Sequence, residues 1–289
     1  MSFAVFTDAC SNLPGAILAG RQIETLPYTY TISGRQITYS GDIDAFDAKE
    51  HYDLLRSGEL ISTSLVNAQQ FIDRFRPVLE AGRDVVYIGL SSGISGTYQA
   101  SCMAAEELRE EFPGRTVRTV DSLGAGFGPG LLTLMAADLR SEGKSARETA
   151  DILDQVKMDL CEYFTVDDLM FLRRTGRLST TGALVGTMLG IKPILRGDEE
   201  GHIVVSRKCR GRKKAVDTLA QIYADRVVHP QQQRVAISHG DCGEDAMLLA
   251  EKIRAIAQPK ELILCAHEPV TGSHVGPGML GLFFFGTGR

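Results

Sequence analysis

Ile88-Gly-Leu-Ser-Ser-Gly-Ile-Ser-Gly-Thr-Tyr98 ends an apolar run, Asp84 to Leu90, in three serines and two glycines before a helical pattern resumes. That order is how an α/β protein builds a site. The carboxyl end of a parallel strand and the N-terminus of the following helix gather N–H groups and hydroxyls that can hold an oxyanion, a carboxylate or a phosphate. Outward from this stretch the same grammar repeats. Asn67 with Gln70 three residues on forms a capping box, and Phe71, Phe75, Val78 and Leu79 follow at helical spacing, which predicts an amphipathic helix leading into the 84–90 strand. Downstream, a helix to about Glu111 and a strand over Thr116 to Val120 lead to a second glycine-rich loop, Asp121-Ser122-Leu-Gly124-Ala-Gly126-Phe-Gly128. Upstream, Phe3 to Phe6 reads as a buried strand that empties into Thr7-Asp8-Ala-Cys-Ser11. Between them, alternating Glu24 to Ile32 and the turn Ser33-Gly34 leading to Gln36–Tyr39 predict a hairpin or edge strands.

Helices over 129–141 and 146–159 close this half. The remainder has a different rhythm: a strand at 162–166, a short helix at 167–174, an apolar glycine-rich unit at 183–195, and a hairpin around Asp198–Gly201 with 203–206 as its second strand. A helix at 212–225, a strand at 234–239, a helix at 243–257 and strands at 261–266 and 279–285 follow. The change places a domain boundary near residue 155, giving domains of 1–155 and 156–289. At 289 residues and 44% hydrophobic the chain has material for two such cores. A net charge of −5 argues against a nucleic-acid-binding surface, which needs clustered Lys and Arg. The six cysteines are scattered without a C-x-x-C pair, so neither a metal site nor a disulfide framework is expected. The opening residues lack a basic segment followed by a long apolar one, and no run approaches a membrane span, so a cytoplasmic location is expected.

Gly89-Leu-Ser91-Ser-Gly93 matches G-x-S-x-G in a strand–turn–helix setting, which makes Ser91 a candidate esterase nucleophile with Asp168 and His274 in triad order. No H-G-G-G oxyanion segment precedes it, and no phosphate-binding G-x-x-x-x-G-K-[ST] occurs. Ile61-Ser-Thr63-Ser-Leu65 reads either as a solvated turn before the Asn67 cap or as a second hydroxyl site. His274 lies in Thr271-Gly-Ser-His-Val-Gly-Pro-Gly278, where a backbone can approach a ligand closely. Phe283-Phe-Phe285 reads as core, or as one wall of an apolar cavity. Arg173-Arg-Thr-Gly-Arg177 and Arg207-Lys-Cys-Arg210-Gly-Arg212-Lys-Lys214 concentrate positive charge in an acidic chain, as a docking surface for an acidic partner would.

In this order the stretches resemble the DegV family, the fatty-acid-binding proteins that serve as the FakB-type subunit of bacterial fatty acid kinase. The resemblance spans nearly the whole chain: Thr7-Asp8 with Ser11, Thr63-Ser64, Leu90-Ser-Ser-Gly-Ile-Ser-Gly-Thr97, Asp121-Ser122, Val166-Asp-Asp-Leu169, Gly176-Arg-Leu-Ser179, Ile191-Lys-Pro-Ile194, Arg210–Lys214 and His274-Val-Gly-Pro-Gly278. One departure is Leu65-Val66-Asn67, where the family usually continues Gln-Pro-Ser.

The resemblance implies two α/β domains, the first with a mainly parallel sheet and the second mixed α+β, with a lipid cavity in or between them. It implies that a long-chain fatty acid such as palmitate or oleate is bound with its carboxylate at Thr63, Ser95 and Gly96, and with His274 and Arg177 in the same network. On that reading the chain is a carrier in phospholipid synthesis, not an enzyme, and needs no cofactor beyond the lipid. A separate ATP-dependent kinase subunit would form the acyl phosphate, docking at Arg207, Arg210 and Arg212, with transient membrane-surface contact. A serine esterase using the 89–93 motif and a lipid-sensing regulatory module are the competing readings.

Overall fold

The computed structural model describes residues 3–178 and 190–289, and its chain divides into two compact units. The first comprises residues 1–45 and 61–157; the second takes 46–60 together with 158–289.

The first unit opens with β1 (Ala4–Asp8), α1 (Gly15–Gly20), β2 (Ile23–Leu26), β3 (Tyr28–Ile32) and β4 (Arg35–Tyr39). After α2 (Ala48–Arg56), which belongs to the second unit, it resumes with β5 (Ile61–Ser64), α3 (Ala68–Glu80), β6 (Val85–Gly89), α4 (Thr97–Glu111), β7 (Val117–Asp121), α5 (Phe127–Ser141) and α6 (Ala146–Val156). Four strands form a parallel sheet in the order β2-β1-β6-β7. Every residue of β1 and β6 is buried, as strands covered on both faces must be. From β1 the chain steps to β2 on one side, while β6 on the other side leads to β7. The crevice at the carboxyl ends of β1 and β6 is therefore a topological switch point, where such folds hold ligands.

The hairpin expected around Ser33-Gly34 is present as β3 and β4, but the alternating stretch Glu24–Ile32 is broken at Pro27, which has no N–H to continue a ladder. Ile23–Leu26 stays with the parallel sheet, and Tyr28–Ile32 passes to a separate antiparallel sheet, β4-β3-β5. The capping box at α3 is present, with Asn67 accepting from the Gln70 amide at 3.0 Å and Gln70 accepting from the Asn67 amide at 2.9 Å. Its apolar face buries Phe71, Ile72, Phe75 and Leu79, each contributing roughly 1.5–3 kcal/mol. Phe75 meets Phe6 of β1 and Phe71 meets Tyr87 of β6, both at 4.9 Å between ring centroids.

In the second unit β8 (Leu160–Thr165), α7 (Met170–Arg174), β9 (Ile191–Gly197) and β10 (Ile203–Arg210) come first. They are followed by α8 (Arg212–Arg226), β11 (Arg234–His239), α9 (Gly243–Ile256), β12 (Glu261–Ala266), α10 (Pro269–Val275) and β13 (Leu280–Phe285). The mixed sheet runs β10-β9-β8-β13-β11-β12, with β11 and β12 parallel and the other pairs antiparallel. Its core joins Leu282 and Phe284 to Leu219 and Tyr223 of α8 and to Leu249 and Ile253 of α9. The apolar unit expected at 183–195 lies largely outside the described residues, as does Ser179; only its end is seen, as β9. The glycine-rich segment around His274 is not a loop but the helix α10, started by Pro269 at its first position and by the Glu268 cap. β10 also runs on to Arg210, past the expected end at Ser206, so Arg207 and Arg210 stand on a strand. Among the described residues no helix is long and apolar enough to cross a membrane.

Candidate functional site

The serine-rich loop is fastened one amide at a time. Asp8, buried at the end of β1, accepts from the Leu90 amide at 2.5 Å and from the Tyr87 hydroxyl at 2.5 Å. Packing of Tyr87 against Phe71 sets that phenol in place. Burial raises the Asp8 carboxyl to about 6, and the Tyr87 and Leu90 hydrogen bonds pull the other way. Asp121, at the end of β7, accepts from the Ser92 amide at 3.2 Å and the Leu123 amide at 3.0 Å. The Ser91 amide donates to Gly124 O at 2.9 Å; those of Ile94 and Ser95 donate to Ser91 O, and that of Gly93 to Ser91 Oγ. The Thr97 amide donates to Ser95 Oγ at 3.3 Å.

From Leu90 to Thr97, then, only the Gly96 amide makes no hydrogen bond among the described residues, and it is exposed at the start of the 15-residue α4. An N–H left open at a helix N-terminus, beside a serine hydroxyl, suits an anionic acceptor. Ser91 is the opposite case. It is fully buried and engaged by Gly93, Ile94 and Ser95, whereas a nucleophile elbow exposes its serine. Asp168, the acid of the esterase reading, is exposed and caps the Met170 amide at 2.8 Å.

Thr63 stands on β5, half-buried and directly opposite Tyr30 of β3. Side chains two apart on a strand share a face, so Tyr28, Tyr30 and Thr63 line the same side of the small sheet. Tyr28 reaches from that side to Thr97, its hydroxyl 2.8 Å from Thr97 Oγ1, and the Val66 amide donates to the same oxygen at 3.3 Å. Ser95 Oγ lies 3.1 Å from it. Tyr28 and Val66 thus tie the small sheet, which carries Thr63, to the start of α4, where Ser95 and Gly96 lie.

Two further residues lie in the second unit. Burial lowers the His274 imidazole to about 4, with Arg177 and Arg174 adding to the effect, so the ring is neutral at pH 7 and the two guanidiniums supply the positive charge beside it. Arg177 Nη1 donates to Thr175 O, and Arg174 stacks over Phe171 at 4.1 Å. Of the three arginines expected to dock a partner, Arg207 and Arg210 line an open groove of about 540 Å³ with Lys208 and Lys214. None of these four is ion-paired among the described residues, and Asp217 in the same groove is engaged by Lys252 at 3.0 Å. Arg212 is held differently, by Asp245 at 2.8 Å and by Gly278 O at 2.7 Å. No group of three or more His, Cys, Asp and Glu side chains suited to a metal ion occurs among the described residues.

The family model described as "Uncharacterised protein, DegV family" matches residues 2–287. The chain belongs to the DegV family. A DegV domain-containing protein of Clostridium perfringens is 38% identical over 285 residues, covering 98% of this chain and 97% of that one. Among solved structures, a DegV family protein from Thermus thermophilus described for its fatty acid binding aligns with a TM-score of 0.87 at 28% identity, covering 99% and 100% of the two chains. DegV of Bacillus subtilis, described as a fatty acid binding protein, aligns at 0.84 with 29% identity over 98% of each chain. The DegV fold, with its parallel first sheet and mixed second sheet, is the architecture expected from the sequence.

Sequence reasoning about this DegV chain found the serine loop and missed what fixes it. Asp8 drew notice only as an acid at a strand end, and Tyr87 reads as one more apolar position within a strand. Tyr28 drew none, although Pro27 before the alternating Tyr28-Thr-Tyr-Thr-Ile32 signals that the strand leaves the parallel sheet.

Proposed function

We propose that this chain carries a long-chain fatty acid, with its carboxylate held by Thr63, Ser95 and the Gly96 amide of the first unit. The acyl tail supplies affinity: at roughly 0.8 kcal/mol per buried methylene, sixteen carbons contribute on the order of 10 kcal/mol gross before ordering costs. The head group needs only donors enough to avoid a buried unsatisfied carboxylate. The observation that carries the reading is the single open amide at Gly96 beside Ser95, in a loop whose other amides are all engaged. Fatty acid binding by the Thermus and Bacillus relatives supports it.

The chain is then a carrier and not a catalyst, working in the cytoplasm for phospholipid synthesis. A separate ATP-dependent kinase subunit phosphorylates the bound carboxylate, and the groove at Arg207 and Arg210 receives an acidic surface of that subunit while Arg212 braces the start of α8. Mass spectrometry of denatured, purified protein is expected to find a stoichiometric long-chain fatty acid. Protein that is empty and also takes up neither palmitate nor oleate overturns the reading. Thr63→Ala and Ser95→Ala should each weaken binding by about 1–3 kcal/mol, measured by titration calorimetry.

A further inference from the structure

We infer, resting on the fatty acid reading above and deepening it, that Leu65 is the hydrophobic cover of the head-group site and keeps water from the carboxylate bound at Gly96. Leu65 follows β5 directly, two residues beyond Thr63. It is 51% exposed, while the exposed residues just before it, Ser62 and Ser64, carry hydroxyls. The side chain is nevertheless placed. Leu65 Cδ2 lies 3.4 Å from the point that a Cβ on Gly96 would occupy, and apart from the chain neighbours of Gly96 no other atom among the described residues comes within 4 Å of that point. The next residue anchors this end of the loop: Val66 is 1% exposed, and its amide donates to Thr97 Oγ1 at 3.3 Å. Gly96 has φ −75° and ψ 0°, a right-handed conformation open to any residue, so the turn does not demand glycine. What the missing Cβ leaves is room, bounded by Leu65.

The chemistry of the site gives that leucine its task. The groups proposed to hold the carboxylate, the Thr63 and Ser95 hydroxyls and the Gly96 amide, carry no charge. Neutral groups hold a carboxylate in competition with water, and their hydrogen bonds strengthen where water is shut out and the effective dielectric falls. Gly96 is exposed, so the backbone alone does not exclude water there. Leu65 and the first methylenes of an arriving acid do so together, because each covers apolar surface that the other leaves wet. The cover therefore acts at the carboxyl end of the ligand and not along its tail.

The test is Leu65→Gln, which keeps a side chain of similar reach and ends it in an amide, with Leu65→Met as the apolar control. At 51% exposure neither change should disturb folding. Protein loaded with palmitate carrying carbon-13 at the carboxyl carbon or at the terminal methyl is exposed to a water-soluble paramagnetic agent, and relaxation of the label is read by NMR. In Leu65→Gln the carboxyl carbon should relax roughly twofold faster or more, the terminal methyl should be unchanged, and palmitate release should quicken roughly three- to tenfold. Leu65→Met should match the wild type. Unchanged carboxyl relaxation or release in Leu65→Gln, an equal rise at both ends of the ligand, or the same rise in Leu65→Met overturns the inference and leaves the fatty acid reading standing. A wild-type protein that binds no palmitate overturns both.

Discussion

The two units solve one problem with opposite chemistry. Each must fasten the segment that leaves the carboxyl end of a parallel strand to its neighbour. In the first unit Asp8, at the end of β1, ties down the loop after β6 with a buried carboxylate. In the second His267, just past β12, does so with a buried imidazole. Its amide donates to His239 O at 2.8 Å, Nδ1 lies 2.8 Å from Ser238 Oγ, and Nε2 lies 2.8 Å from Thr271 Oγ1 at the start of α10. The Thr271 hydroxyl donates to Glu268, so it accepts from His267 Nε2–H, and Nδ1 is left to accept from Ser238. A neutral ring is thereby built in, as the lowering of His267 to about 3 by burial and by His239 requires.

Opposite chemistry gives opposite responses to acid, and the largest expected effect follows from it. His267 at about 3 and His51 and His274 at about 4 bind protons in the unfolded chain, near 6.5, well before they do so when folded. The second unit should lose stability as pH falls from about 6.5 toward 4. Asp8 reverses the sign: folded, it takes up its proton at about 6, and unfolded only near 3.8, so its contribution to the first unit grows as pH falls through that window. Hydrogen exchange at pH 7 and pH 4.5 should show β11 and β13 losing protection before β1 and β6. Simultaneous loss in both units would break the contrast.

Next in size, Asp8→Ala leaves the Tyr87 hydroxyl and Leu90 amide unsatisfied and should cost about 2–3 kcal/mol in urea unfolding, with faster exchange across 90–96. Ser238→Ala removes the donor to His267 Nδ1 and should cost about 1–2 kcal/mol, with exchange quickened around β12 and α10 only. Equal disturbance of the serine loop would mean that the two fastenings are not separate. Smallest is the double charge reversal Arg207→Glu with Arg210→Glu. Its effect on unfolding should stay within about 0.5 kcal/mol, while affinity for a kinase subunit of the kind proposed above falls and loses its salt dependence.

What was legible in the sequence follows the same division. The first unit announces itself because its strands are buried on both faces and its loops at 8–12, 89–97 and 121–128 sit at carboxyl ends, so period and punctuation suffice. Thr63 and Ser95 emerged from the family resemblance, and the amide accounting that gives Gly96 its open N–H needed coordinates. In the second unit α10 was hidden, because Thr271-Gly-Ser-His carries the residues of a loop and is helical only through Pro269, the Glu268 cap and the His267–Thr271 bond. Arg212 looked like its neighbours in a run of charge; only its partners Asp245 and Gly278 distinguish it.

Helix α2 is encoded between two strands of the first unit and belongs to the second. Its Tyr52 is fully buried there, the hydroxyl bonded to His267 O at 3.0 Å and so close to Gly272 that a Cβ at that position would meet it at 2.5 Å. During synthesis this piece leaves the ribosome more than a hundred residues before the sheet that receives it. The first unit must close its small sheet around a waiting, half-apolar arm, and the second cannot be completed from its own end of the message. A cut near residue 157 would therefore not yield two independent proteins: the later fragment would lack the side chain that fills its glycine-lined seat.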